Sequence, residues 1–81
     1  MTMTQQIHAD VAELLSITTG RQIGLAEKVS RDSEAGWDSL KHVELIFMLE
    51  ERFGIQFSEE EMAELRSSDQ IVQSIEEKRA A

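Results

Sequence analysis

Cysteine, proline and tyrosine are all missing from this chain of 81 residues. Without cysteine there is no disulfide framework, no thiolate metal site and no cysteine nucleophile. Without proline, no helix is broken by a ring that removes a backbone donor. Long apolar runs are missing too: the longest is Leu45 to Leu49, far too short to span a bilayer. The opening stretch Met1 to Gln6 has neither a basic n-region nor an apolar h-region. No secretory signal is therefore expected, and a soluble cytoplasmic protein is. Positive charge is scarce, with 8 Lys and Arg against 16 Asp and Glu and a net charge of −8. Nucleic acid binding needs clustered Lys and Arg, so nucleic acid is excluded as a partner, and anionic membrane is repelled. The charge instead suits protein partners that present a basic patch, where such a field speeds encounter and orients docking.

The acids are unevenly placed. Glu44, Glu50, Glu51, Glu59, Glu60, Glu61 and Glu64 all fall between residues 44 and 64. A calcium loop is a poor reading of them. The best candidate starts at Asp32 with Glu34 third, but it puts Trp37 where the sharp-turn glycine belongs and Val43 where the bidentate glutamate belongs. No metal site is assigned.

Helical periodicity runs through most of the chain. Ile7, Val11, Leu14 and Leu15 make one apolar face of a first helix, expected from about Thr4 to Ser16. A long connection from about Ile17 to Trp37 follows, punctuated by Gly20, Gly24 and Gly36. Ile23, Leu25 and Val29 are its candidate anchors. A second helix is expected from Ser39 to Phe53, closed by Gly54 as a left-handed cap. Ser58 and Glu61 form a capping box that opens a third helix, with Met62 and Leu65 as its apolar contacts. Ser67 and Gln70 offer another box for a last helix through about Lys78, with Ile71, Val72 and Ile75 facing inward. Lys78 and Arg79 complement the negative end of that helix. The expected fold is all-α, a small four-helix bundle with a long loop between helices 1 and 2, and nothing requires more than a monomer.

The second helix has two apolar sides. At about one hundred degrees per residue, Leu45, Ile46, Leu49 and Phe53 form a core stripe. Leu40, Val43 and Phe47 lie roughly opposite, set among Glu44, Glu50 and Glu51. Either the helix is buried on both sides, or its second strip docks partners, with apolar anchors for affinity and charges for register. Periodicity alone leaves both open. The helix opens on Gly36-Trp37-Asp38-Ser39-Leu40. Asp and Ser commonly cap helices, while the positive end of the helix dipole also favours a phosphate ester on a hydroxyl there. Nucleophilic catalysis by Ser39 is a weak reading: only His8 and His42 are available as bases, and no oxyanion-hole motif accompanies them.

From Asp38 to Leu65 the sequence DSLKHVELIFMLEERFGIQFSEEEMAEL resembles the acyl carrier protein family without a gap. Asp-Ser-Leu is followed by a glutamate-bearing helix ending in Glu-Glu-x-Phe, a short link and an acidic third helix. The resemblance implies one carrier domain over residues 1–81, with 4′-phosphopantetheine attached covalently to Ser39 by a phosphopantetheinyl transferase. The arm's thiol would hold an acyl or aminoacyl thioester. Asp38 would cap the helix or help position the serine or a metal ion in the transferase complex. Leu40 would hold the helix start against the loop or meet the enzyme. Val43, Glu44, Phe47, Glu50 and Glu51 are the matching docking positions for loading enzymes and synthases. Such a protein is not an enzyme, and no residue is catalytic. An unmodified docking adaptor of the same fold is the alternative, against which the intact Asp38-Ser39-Leu40 argues.

The sequence also departs from the fatty-acid carriers. Lys41 and His42 replace an acid and a small polar residue, and Arg31 and Ala35 stand at apolar positions of the preceding loop. Trp37 is a candidate replacement anchor, packing into the bundle. These differences suggest a specialised pathway.

Overall fold

The computed structural model describes residues 2–25 and 27–80; Met1, Ala26 and Ala81 lie outside the described residues. Four helices form among them: α1 (Met3–Thr19), α2 (Ser39–Phe53), α3 (Glu59–Glu64) and α4 (Ser68–Ala80). The only β-type pairing among these residues is an isolated antiparallel bridge, Ser30 to Ser67. The expected all-α fold is therefore found.

Helix α1 begins on a reciprocal cap. The Gln5 N–H donates to Thr2 Oγ1 (3.2 Å) and the Thr2 N–H to Gln5 Oε1 (3.1 Å). It continues to Thr19, three residues past the end expected at Ser16. The hydroxyls explain the extra turn. Ser16 Oγ donates to the Ala12 carbonyl at 2.7 Å and Thr19 Oγ1 to the Leu15 carbonyl at 2.8 Å, so side chains that compete with helix elsewhere are satisfied within it. Gly20, at φ 77°, ends it. Helix α2 has the expected bounds, with Asp38 as N-cap and Gly54 at φ 65° as left-handed C-cap. The Ser58–Glu61 box opens α3 as read. The second box is altered: the Gln70 N–H donates to Ser67 Oγ (3.2 Å), but Gln70 Oε1 reaches back to the Arg66 N–H (2.9 Å).

The core is built from one stripe of each long helix. Ile7, Val11, Leu14 and Leu15 of α1 meet Leu45, Ile46, Leu49 and Phe53 of α2 and Ile71, Val72 and Ile75 of α4, all buried. Helix α1 packs against both α2 and α4. Each fully buried Leu or Ile contributes roughly 1.5–3 kcal/mol, and these three helices supply most of them. Helix α3 contains no buried residue; Leu65, just beyond it, is buried and Met62 is partly so.

The long loop is pinned, not slack. The Ile23 N–H donates to Ser16 Oγ (2.9 Å), and Val29 exchanges bonds with Ser68, N–H to Oγ at 3.0 Å and carbonyl from N–H at 2.8 Å. Arg21 bridges Glu27 and Glu34 across the loop, holding both carboxyls below their usual range by hydrogen bonding. Ile23 and Val29 are buried anchors as expected, but Leu25 is 58% exposed and anchors nothing. Trp37 takes the anchoring role at 2% exposure, as expected.

Gly36 marks where loop and α1 touch. A Cβ added there would lie 2.5 Å from the Thr19 carbonyl oxygen, a backbone atom that cannot swing away. Gly36→Ala is expected to cost about 1–3 kcal/mol, the usual range for overpacking. Gly24→Ala, whose nearest neighbour would be 4.0 Å away, is expected to be close to neutral. Urea denaturation of both variants checks this; equal stabilities would contradict the close approach.

Candidate functional site

Ser39 is the first residue of α2, and it is exposed. The preceding Asp38 turns the chain into the helix: its carboxylate accepts from the Lys41 N–H at 2.9 Å, and its carbonyl from the His42 N–H at 2.8 Å. Of Asp38's alternative roles, capping is thus realised in the free protein. Cap and hydroxyl are adjacent, so the hydroxyl sits at the positive end of a fifteen-residue helix. A guanidinium lies alongside, with Arg31 Nη2 3.5 Å from Ser39 Oγ.

Behind the serine, a polar chain crosses the interior. The Trp37 indole N–H donates to His42 Nδ1 at 3.0 Å, and His42 Nε2 is 2.8 Å from the Met62 carbonyl. Indole nitrogen only donates and a carbonyl only accepts, so the ring must be neutral with its proton on Nε2. Both ring nitrogens are committed, leaving His42 unable to act as a base for Ser39. Burial holds the His42 imidazole below its ordinary value; the Met62 carbonyl opposes this, and the charges of Arg31 and Arg66 add to the lowering. The hydrolase reading therefore has no base at His42.

Helix α2 carries its two sides as separate surfaces. Leu40, Val43 and Phe47 are 68%, 50% and 66% exposed, which removes the reading of a helix buried on both sides. It also removes the idea that Leu40 holds the helix start against the loop. Glu44 and Glu51 are exposed beside this strip, with Glu44 3.6 Å from Lys41 Nζ. Glu50 differs from them: it is half-buried, and its carboxylate accepts from the Phe57 N–H at 2.9 Å. It therefore shapes the α2–α3 link as well as bordering the strip.

The Trp37–His42–Met62 connection escaped the sequence reading, which treated the two side chains separately. A signal was present: His42 lies three, four and seven residues before Leu45, Ile46 and Leu49, on the buried stripe. A histidine there needs partners for two nitrogens, and a tryptophan five residues earlier can serve one of them. Among the described residues no cluster of three or more His, Asp or Glu side chains converges as metal ligands.

The site thus consists of an exposed hydroxyl at a helix start, a cation beside it and an exposed apolar strip leading away. These features fit a phosphate ester, since the donors around the hydroxyl are cationic or point from the helix end. When bound, a phosphopantetheine arm supplies a thiol for thioester formation. Comparison with known proteins agrees. The family profile described as phosphopantetheine attachment site matches residues 5–75. The acyl carrier protein of Helicobacter pylori strain G27 is 33% identical over 81 residues, covering all of both chains. That of Helicobacter acinonychis strain Sheeba is 33% identical over the same length. The chloroplastic acyl carrier protein 5 of Arabidopsis thaliana is 34% identical over 73 residues, 90% of this chain and 50% of that one. No solved structure matches. The chain belongs to the acyl carrier protein family, whose cofactor is phosphopantetheine.

The His42 ring gives the fold a particular pH dependence. In the unfolded chain it takes up a proton as pH falls through about 6.5; in the folded chain it resists until lower pH. Stability from this group is complete above that value and is lost as pH drops through the folded one. Between pH 7 and 5, Tm is expected to fall in the wild type and to fall less in His42→Gln. Parallel pH profiles would contradict this role.

Proposed function

We propose that Ser39 is the residue that carries 4′-phosphopantetheine, and that residues 1–81 act as one carrier domain in the cytoplasm. The observation that carries the reading is the exposed Ser39 hydroxyl at the start of α2, capped by Asp38, in a chain matched by a phosphopantetheine attachment profile. A phosphopantetheinyl transferase uses coenzyme A as the donor. The Ser39 oxygen forms the new bond to phosphorus, 3′,5′-ADP leaves, and the hydroxyl proton passes to a base of the transferase. The protein itself then does no chemistry; it presents a thioester-bound acyl or aminoacyl group to successive enzymes of a biosynthetic pathway.

Docking falls to the outer side of α2. Leu40, Val43 and Phe47 are apolar anchors whose burial in a partner supplies affinity. Glu44, Glu51 and the half-buried Glu50 set register against a basic patch. A pathway other than housekeeping fatty acid synthesis is supported by the polar interior at the site. Arg31 stands where fatty-acid carriers typically have an apolar loop residue and His42 where they have a small polar one, with Trp37 as the loop anchor instead.

Intact mass after incubation with coenzyme A, magnesium and a broad-specificity transferase tests the attachment residue. A gain of one phosphopantetheine is expected in the wild type and none in Ser39→Ala. Absence of the gain with a cognate transferase as well would favour an unmodified adaptor. Phe47→Ala, which removes a side chain already in solvent, is expected to change stability by no more than about 0.5 kcal/mol. It is expected to lower partner turnover at subsaturating carrier by tenfold or more, as for loss of an interface anchor. A large drop in Tm with undiminished turnover would place Phe47 in the core instead.

A further inference from the structure

We infer that Arg31 binds the phosphodiester joining the arm to Ser39, its guanidinium pairing with the anionic oxygens. This rests on Ser39 being the attachment residue. The arginines of the chain are otherwise occupied. Arg21 lies on Glu27 and Glu34, Arg52 on Asp10 and Glu13, and Arg66 on Asp32. Arg79 donates to the Phe53 carbonyl at 3.2 Å. Arg31 makes no ion pair among the described residues, although acids outnumber bases 16 to 8. Its guanidinium instead reaches the Ser39 hydroxyl.

The position of Arg31 is built. Its N–H donates to the Arg66 carbonyl at 2.8 Å, beside the Ser30–Ser67 bridge. The Asp32 N–H donates to Ser30 Oγ at 3.2 Å, and Val29 is tied to Ser68 as described. The residues on either side of Arg31 are therefore fixed to the α3–α4 link, and the side chain starts from a settled backbone. The charges of Arg31 and Arg66 both act on His42, so both cations lie near this end of α2.

The contact as it stands is poor. At 3.5 Å to a neutral oxygen, Arg31 Nη2 makes at best a weak hydrogen bond. Esterification of that oxygen puts a phosphorus one bond further out, bearing two non-bridging oxygens that share one negative charge. The guanidinium fork then meets an acceptor of matching charge and geometry, and the contact becomes charge-assisted. Lysine would keep the charge and lose the fork.

The test compares apo and holo protein, with loading verified by intact mass, in the wild type, Arg31→Gln and Arg31→Lys. Two signals are followed: the ³¹P resonance of the holo form and the Arg31 side-chain N–H resonances in ¹⁵N-labelled protein. Loading is expected to shift the Arg31 signals and slow their solvent exchange, while those of Arg21 and Arg52 stay put. The ³¹P resonance of holo Arg31→Gln is expected to differ from wild type by more than the linewidth, with Arg31→Lys between them. The wild-type apo-to-holo comparison needs no variant, so poor folding of either substitution does not blunt the test. Unmoved Arg31 signals with identical ³¹P resonances would overturn the inference. So would slower loading of Arg31→Gln with an unchanged holo spectrum, which would assign Arg31 to contact with the transferase. Absence of any mass gain would instead remove the carrier reading, and this inference with it.

Discussion

The hydrogen bond from the Trp37 indole to His42 Nδ1 belongs to a polar chain that links three parts of the protein. Trp37 ends the long loop, His42 lies on the inner stripe of α2, and the far side of the same ring reaches the Met62 carbonyl in α3. Polar atoms inside a protein must find partners, since a buried unpaired group costs about 1–3 kcal/mol. Here each group's need is met by the next. The arrangement tolerates only one tautomer of the ring, so it specifies geometry as well as contributing stability. Because Trp37 is two residues before Ser39, fixing the indole also fixes the start of α2.

That start is where the inside and the outside of the protein are divided. One side of α2 belongs to the core with α1 and α4, and the other leaves Leu40, Val43 and Phe47 in water. A helix with an apolar strip on each side is stable only if its core stripe suffices alone, and the stripes of α1, α2 and α4 together do suffice. The loop completes this division. Gly36 brings it against the end of α1, Arg21 gathers its acids, and the Ser68 bonds at Val29 carry it to the α3–α4 link.

Much of this was legible because it depends on local chemistry. Gly54 and the Ser58–Glu61 box fix their helix ends by short-range bonds, and the period of Leu45, Ile46, Leu49 and Phe53 identifies the buried side. The loop was harder to read, because its contacts are long-range. Nothing near Leu25 says that Ile23 and Val29 are buried and it is not; the pairing of Val29 with Ser68, thirty-nine residues away, decides that. The end of α1 was misjudged for a different reason. Ser16 and Thr19 resemble a helix stop until their hydroxyls turn back to the Ala12 and Leu15 carbonyls. At the site, Ser39 and its cap were plain from the sequence. Arg31 stood out only as a departure from an apolar position, because its nearness to Ser39 depends on the Ser30–Ser67 bridge.

Helix α3 is the element with the least to hold it. Its six residues include none that is buried, and its ties are single contacts: the Met62 carbonyl on His42, the Glu61 carboxylate on Lys78 at 2.7 Å, and Leu65 beyond its end. Free energies of local opening follow buried apolar contact, so α3 opens far more often than the rest of the fold. Its amides are expected to exchange with solvent before those of α1 and the inner side of α2. An opening of that segment would take the Met62 carbonyl away from His42 Nε2 and leave the ring without one of its two partners.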